Sequence, residues 1–181
     1  MVSRLFGSIR QNGYVVKDIN AALDHWTKML GIGPFYKIDK IPLSSYRYRG
    51  EESPVELAVA LGFSGGIQFE LIQQLNDAPS PYLDFVRDHG FGLQHISSWS
   101  EHYDRDLRTV VAAGISVIVE GKVINGPRFC YFDTGIIGGT MMEMADFTPE
   151  FAARAAKMER VACEWDGREP VRPYVSLLQA S

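Results

Sequence analysis

An internal repeat is the feature that most constrains the fold of this chain. Residues 9–16 read as a strand, and a helix follows that Asp18 can cap and Gly31 can end, before further strand-like stretches. The same order recurs from residue 93, with Ser100 as the helix cap and Gly114 at the end of the helix. Self-similarity of this kind predicts two equivalent structural units, which must be identified before any single element is interpreted.

The spacing within the two units supports the repeat. Gly31 follows Gln11 by 20 residues, and Gly114 follows His95 by 19. Each unit reads as βαβββ, so we expect an α+β fold in which two βαβββ modules form curved mixed sheets around a shared cleft. The first module has the longer loop, around residues 42–52. The expected organisation is a first module at 1–78, a linker helix at 79–90, a second module at 91–147, and a C-terminal helix and tail at 148–181.

Charge and composition exclude several classes of partner. The 181 residues contain 18 basic and 22 acidic side chains, with a net charge of −4 and no long basic run, so nucleic acid and membranes are not expected partners. No apolar stretch approaches the roughly 20 residues needed to cross a bilayer. The two cysteines, Cys130 and Cys163, form no CxxC pair, which favours a cytoplasmic protein without a disulfide framework. A small-molecule substrate and a homodimer are expected.

Four polar residues interrupt otherwise apolar strands: Gln11, Glu70, His95 and Glu143. A buried carboxylate is costly unless it is paired or bound to a metal. One imidazole and three oxygen donors suit a divalent ion, namely zinc, cobalt, nickel, manganese or iron(II). The competing interpretation is four unrelated residues, such as a structural histidine and solvent-facing glutamates. The repeat favours the shared metal site, because each module provides one candidate ligand on its first strand and one on its last.

Several stretches resemble the vicinal oxygen chelate superfamily, which includes glyoxalase I, methylmalonyl-CoA epimerase and extradiol dioxygenases. They are QNGYVVKDINAALDHWTKMLGIGPF, GGIQFELIQQ, SPYLDFVRDHGFGLQHIS and GGTMMEMAD. The run from ELIQ to HGFGLQHI is similar to the epimerase branch. The resemblance implies paired βαβββ modules around a divalent metal, with ligands at Gln11, Glu70, His95 and Glu143. The family's first ligand is often His, but Gln also occurs there in glyoxalase I of the eukaryotic type.

The resemblance also implies a chemistry in which a metal stabilises an enolate while a glutamate takes a carbon-bound proton. Glu143 is the first choice for this base, with Glu70 across the site. Glu51 and Glu52 are alternatives, although solvated turn charges are the simpler interpretation of that pair.

Substrate contacts are predicted at two arginines and two aromatic residues. Arg49 and Arg128 flank strands and could hold a carboxylate or phosphate, or could be ordinary surface arginines. Trp99 and Tyr131 could line an apolar pocket or belong to the core.

The leading functional hypothesis is a metal-dependent epimerase, isomerase or lyase that abstracts a proton next to a carbonyl. A glyoxalase I-like lyase acting on a thiol hemithioacetal, favoured by the ligand set, is the first alternative. A metal-free small-ligand-binding protein is the second. A ring-cleaving dioxygenase is disfavoured, because such enzymes carry two histidines and one glutamate and only one histidine is present among the four positions.

Overall fold

The architecture was analysed in a computed structural model that describes residues 2–135 and 140–178. The predicted tail is therefore described as far as residue 178. Residues 138 and 139, which begin the matching stretch GGTMMEMAD, lie outside the described residues.

Eleven strands and four α-helices make up the described chain. The strands are β1 (Ile9–Val15), β2 (Phe35–Ile38), β3 (Leu43–Tyr48), β4 (Glu51–Glu52), β5 (Leu57–Ser64), β6 (Ile67–Gln74), β7 (Gly92–Ser100), β8 (Val117–Val123), β9 (Arg128–Phe132), β10 (Met141–Asp146) and β11 (Val171–Pro173). The helices are α1 (Ile19–Asp24), α2 (Pro81–His89), α3 (Tyr103–Ala112) and α4 (Pro149–Cys163). A π-helical turn at His25–Met29 continues α1, and a 3₁₀ turn at Tyr174–Leu177 follows β11.

Local signals account for most of the helix boundaries. Asp18 accepts hydrogen bonds from two backbone N–H groups of α1, and Thr148 accepts one at the start of α4. Gly31 and Gly114 have positive φ angles of 67° and 86° where their helices end, as expected for left-handed C-terminal glycines. At α3 the cap is His102 instead of Ser100, whose Oγ accepts from the His102 N–H while Ser100 itself ends β7.

The two modules lie side by side in one curved mixed sheet, with the strand order β11-β2-β5-β6-β1-β7-β10-β9-β8-β3-β4. Each module contributes four strands in equivalent order, with its first strand parallel to its last. The first strands, β1 and β7, pair antiparallel at the centre and join the halves. The predicted α+β fold with a curved mixed sheet is thus confirmed, in the form of one continuous sheet.

The long loop expected at residues 42–52 is the hairpin β3–β4. Apart from its hairpin partner β4, strand β3 pairs with no strand of its own module; it pairs antiparallel with β8, the edge strand of the second module. This pairing satisfies the exposed backbone groups of an edge and carries the chain across the cleft.

Helices α1 and α3 cover one face of the sheet. Ile19 and Leu23 of α1 pack on Phe35 and Leu71 in the first half. The equivalent packing in the second half places Val110 of α3 against β9 and β10. The opposite face encloses a cleft, and α2 and α4 pack on that side. In the described chain no helix is both long and apolar enough to span a membrane.

The C-terminal segment extends the two-module plan. Ala155 and Met158 of α4 are buried against Tyr36 and Phe63 of the first half-sheet. Strand β11 then adds in parallel to β2. The predicted C-terminal tail is therefore partly a sheet strand.

Candidate functional site

Strand register brings the four predicted ligands onto one face of four adjacent strands. One row across β6, β1, β7 and β10 consists of Gln68, Gln11, Ser97 and Glu143. The neighbouring row consists of Glu70, Gly13, His95 and Met141. Because residues two apart on a strand share a face, both rows face the cleft. The predicted pattern of one ligand on the first and one on the last strand of each module therefore converges at the module interface.

Gly13 provides the space for the His95 ring. A Cβ atom at residue 13 would lie 1.9 Å from Cε1 of His95, far inside van der Waals contact. On its other side the imidazole meets the Tyr131 ring edge to face, with centroids 5.0 Å apart. His95 is fully buried and is held between a bare strand backbone and an aromatic ring.

A β-bulge determines how His95 is hydrogen-bonded. Gly13 pairs with His95 and Tyr14 pairs with Leu93, so Gln94 is an extra residue in β7. Gln94 Oε1 lies 2.7 Å from Nδ1 of His95, and the other end of the amide lies against the sulfur of Met141. An amide oxygen only accepts, so Nδ1 carries a proton, and in the neutral ring the lone pair is at Nε2.

Nε2 of His95 is directed at the two glutamates. It lies 3.3 Å from Oε2 of Glu70 and 3.6 Å from Oε2 of Glu143. Neither contact has hydrogen-bond geometry, so Nε2 is a buried nitrogen without a hydrogen-bond partner among the described residues.

These donors fit a divalent ion in type and separation. Ligands bound to one ion at about 2.0–2.2 Å lie about 3–3.5 Å from one another. The hydrogen bond at Nδ1 is the arrangement that orients metal-binding histidines. As they are oriented in the described residues, however, no three His, Cys, Asp or Glu side chains enclose an ion. Binding an ion would thus require rotation of the carboxylates.

The electrostatics of the site follow from burial and from two close carboxylates. Burial and the charge of Glu70 raise the pKa of Glu143 to about 7, although His95 and hydrogen bonds from Ser97 and Tyr131 oppose the shift. Burial lowers the pKa of His95, but the adjacent Glu70 and Glu143 outweigh it and raise the pKa overall. The protonation states of His95 and Glu143 therefore depend on each other.

Gln11 has an amide neighbour that the sequence did not indicate. Its Nε2 donates to Oε1 of Gln68 at 2.8 Å, and both residues are buried. This hydrogen bond leaves the Gln11 carbonyl oxygen as the atom that could bind a cation.

The site opens into a cavity of about 710 Å³. Gln11, Gln68, Glu70 and Glu143 form a polar region of its wall, and most of the remaining wall is apolar. Its mouth is bounded by three segments: the chain around β2 and β3, the β8–β9 turn and the C-terminal 3₁₀ turn. The volume is in the range that encloses a whole small-molecule ligand.

The predicted substrate contacts divide into two groups. Trp99 and Tyr131 line the cavity, one of the two places that the sequence allowed for them, and their contact with a substrate stays a prediction. Arg49 and Arg128 do not: Arg49 is exposed and paired with Asp84 at 3.2 Å.

Arg128 binds Asp104 and Asp146, at 2.8 and 2.9 Å, and lies over the Tyr103 ring. The alternative bases Glu51 and Glu52 are exposed on β4.

Sequence reasoning missed Gly13, Gln68, Gln94 and Tyr82. Tyr82 is fully buried, and its hydroxyl lies 3.1 Å from that of Tyr131. The glycine within strand β1 is the one signal that could have been used, because glycine inside a strand often marks a close approach.

Comparison with known proteins agrees with this geometry. The family model described as glyoxalase/bleomycin resistance protein/dioxygenase superfamily matches residues 10–131. The chain therefore belongs to this superfamily, and the resemblance to the vicinal oxygen chelate proteins is confirmed. No curated protein sequence matches the chain.

Solved structures of similar fold include epimerases. Methylmalonyl-CoA epimerase from Mycobacterium tuberculosis is 18% identical, with a TM-score of 0.59 over 84% of this chain and 97% of that one. A variant of the Streptomyces coelicolor epimerase in complex with 2-nitronate-propionyl-CoA is 16% identical, with a TM-score of 0.51 over 78% and 94%. A hypothetical protein from Bacillus halodurans C-125 is 17% identical, with a TM-score of 0.52 over 77% and 93%. At these identities the likeness establishes the fold alone.

Proposed function

We propose that this protein is a metal-dependent proton-transfer enzyme, an epimerase, isomerase or lyase acting on a small carbonyl or acyl-thioester substrate. The observation that carries the proposal is the buried Nε2 of His95, which has no hydrogen-bond partner among the described residues and lies 3.3 and 3.6 Å from Glu70 and Glu143, two residues of the cavity wall. Such an atom is costly to bury unless a ligand forms a hydrogen bond with it or an ion binds to it.

In this proposal Gln11, Glu70, His95 and Glu143 would hold a divalent ion. When bound, the ion would supply a Lewis acid that stabilises negative charge developing on a substrate carbonyl oxygen. Gln94 acts as a positioning residue, because its carbonyl keeps the proton on Nδ1 of His95 and leaves Nε2 for the ion.

Glu143 is the proposed base: as a ligand at the edge of the site it would release the ion and take the proton from the carbon beside the carbonyl. It lines the cavity, and the Tyr131 hydroxyl beside it orients the carboxylate. Glu70 lies on the other side of His95; in its protonated form it would donate its own proton to the opposite face of the same carbon while Glu143 keeps the proton it took, which gives epimerisation. Return of the proton to the neighbouring carbon gives isomerisation.

The test combines metal analysis with proton exchange. Protein loaded with Zn²⁺ or Co²⁺ is incubated with methylmalonyl-CoA in deuterated water, and in a parallel reaction with the hemithioacetal of methylglyoxal and glutathione. We expect one ion per chain and incorporation of deuterium into one of these substrates. Turnover of the hemithioacetal alone would assign the glyoxalase I-like alternative.

Two matched variants identify the base. Glu143→Gln should reduce exchange by about 10²–10⁴-fold, the usual contribution of a general base. Glu52→Gln, at an exposed glutamate, should leave exchange unchanged. Loss of exchange in Glu52→Gln with full activity in Glu143→Gln would overturn the assignment.

The apolar character of the cavity wall favours a second candidate, a small-ligand-binding protein without a metal. That function requires ligand binding with neither stoichiometric metal nor deuterium incorporation, so the same experiment separates the two.

A further inference from the structure

Away from His95, three residues of the described cavity wall carry a buried donor atom without a hydrogen-bond partner. Among the described residues these atoms are Nε2 of Gln68, Nε1 of Trp99 and Nε of Arg154. All three are N–H groups, which donate and do not accept. The cavity is therefore prepared for a ligand that presents acceptor oxygens.

Arg154 differs from the other two cations of the cavity wall. Lys37 is paired with Asp39 at 2.9 Å, and Lys40 is paired with Glu56 at 2.7 Å. Within residues 2–135 and 140–178, Arg154 has neither an ion pair nor a hydrogen bond. Glu150, the acidic residue one turn earlier on α4, is exposed; the charge of Arg154 contributes to lowering its pKa, but the two side chains form no direct ion pair. Among the described residues the guanidinium therefore has no directly bound acidic partner.

Arg154 belongs to the part of the wall built by α4. Phe151, one helical turn before Arg154, packs on Trp99 with centroids 4.8 Å apart, and all three residues line the cavity. Trp99 is four residues beyond His95 on β7, a separation of about 13 Å along a strand. The wall also contains Leu57, Val59, Ile72 and Phe129.

From this arrangement we propose that the cavity binds an anionic amphiphile, with an apolar body along the strand wall and an anionic oxygen group at Arg154 and Trp99. An arginine is suited to a carboxylate or a phosphate, since its fork of N–H groups matches two oxygens. The identification of this ligand as the substrate rests on the proposed function. The substrate would then be an acid whose head group lies at the α4 end of the cavity. The binding step itself needs no metal.

Calorimetric titration of the metal-free protein tests the proposal with three probes that share a ten-carbon chain: decanoate, decyl phosphate and decan-1-ol. At least one anion should bind about tenfold or more tightly than the alcohol, in keeping with a hydrogen bond to a charged group. The tighter anion identifies the head group. Equal affinity for all three probes would overturn the proposal.

Variants on α4 locate the head group. Arg154→Met keeps the aliphatic stem and removes the charge, so it should abolish the preference for the anion and leave binding of decan-1-ol unchanged. Arg154→Lys should retain part of the preference, and Arg160→Met, at an exposed position of the same helix, should retain all of it. Equal weakening of acid and alcohol in Arg154→Met, or no effect on either, would contradict the assignment.

These results are independent of the catalytic test. Anion binding without metal uptake or deuterium exchange would refute the proposed enzyme and preserve the ligand class. Deuterium exchange without a preference for the anion would support the proposed enzyme and refute the ligand class.

Discussion

Replacement of Gly13 by alanine tests the arrangement around His95 most directly. The added Cβ would lie 1.9 Å from Cε1, 2.3 Å from Nε2 and 2.4 Å from Nδ1 of the ring. Carbon atoms in contact prefer about 3.5–4.0 Å, so the ring must move by more than about 1 Å. Tyr131 lies on the opposite side of the fully buried ring and leaves it little room.

We expect Gly13→Ala to lower the free energy of unfolding by about 3 kcal/mol. Overpacking of a core usually costs about 1–3 kcal/mol, and the close approach places this case at the upper end. Displacement of the ring would also break the hydrogen bond to Gln94, worth about 1 kcal/mol. Without the clash the sign would reverse, because alanine in a strand interior is favoured over glycine by about 0.5–1 kcal/mol.

A double-mutant cycle measured by urea denaturation separates these effects. In a His95→Ala background the obstructing ring is gone, so Gly13→Ala should no longer destabilise and should raise the free energy of unfolding by about 0.5–1 kcal/mol. Gly66→Ala is the control, since its Cβ would meet only a side-chain oxygen at 3.9 Å, and we expect a change within about 0.5 kcal/mol. Equal costs for Gly13→Ala in both backgrounds would refute the packing of His95 on this glycine.

Three further predictions follow from contacts on both faces of the sheet. Gln94→Leu should weaken Zn²⁺ binding by about 10–100-fold in calorimetry, because His95 loses the acceptor that orients it; unchanged affinity would contradict the role of the bulge. Arg128→Met should reduce stability by about 1 kcal/mol and leave the KM of any turned-over substrate unchanged, since its carboxylate partners hold it outside the cavity; a raised KM would restore it as a substrate contact. Ser100→Ala should destabilise the protein more at pH 7 than at pH 3 in urea titrations. Burial acts to raise the pKa of Asp106, but hydrogen bonds from Ser100 and Arg105 outweigh it and lower that pKa. The stabilisation by these hydrogen bonds is therefore present above the unfolded-state pKa of Asp106 and is lost as the pH falls. Equal costs at the two pH values would show that Ser100 does not act through the Asp106 carboxylate.

Part of the site was readable from the sequence because strand periodicity is local. Glu70 and Glu143 stand out as carboxylates inside apolar strands, and the repeat indicates that Gln11 and His95 occupy equivalent places. Their arrangement on one face then follows from the alternation of side chains along a strand. Gln94 could not be predicted in this way, because alternation along the strand assigns it to the face opposite His95. Only the β-bulge brings its side chain next to the His95 ring.

The arginines show where residue type alone does not predict the contacts of a side chain. Arg49 and Arg128 were reasonable anion contacts by residue type, but carboxylates distant in sequence hold both of them outside the cavity. Arg154 had no distinguishing signal, since an arginine on a helix is usually solvated. Its place in the cavity wall depends on how α4 packs across the first half-sheet.

The sequence by itself determined the repeat, the α+β class, the helix cap at Asp18 and the four polar positions on the strands, because short-range periodicity and hydrogen bonding encode them. Only the tertiary structure decided that β3 crosses to β8, that β11 extends the sheet beside β2, and that Gly13 makes room for the His95 ring. Those features depend on pairing between segments far apart in the chain, where many registers satisfy the local pattern and the packing of the whole sheet selects one.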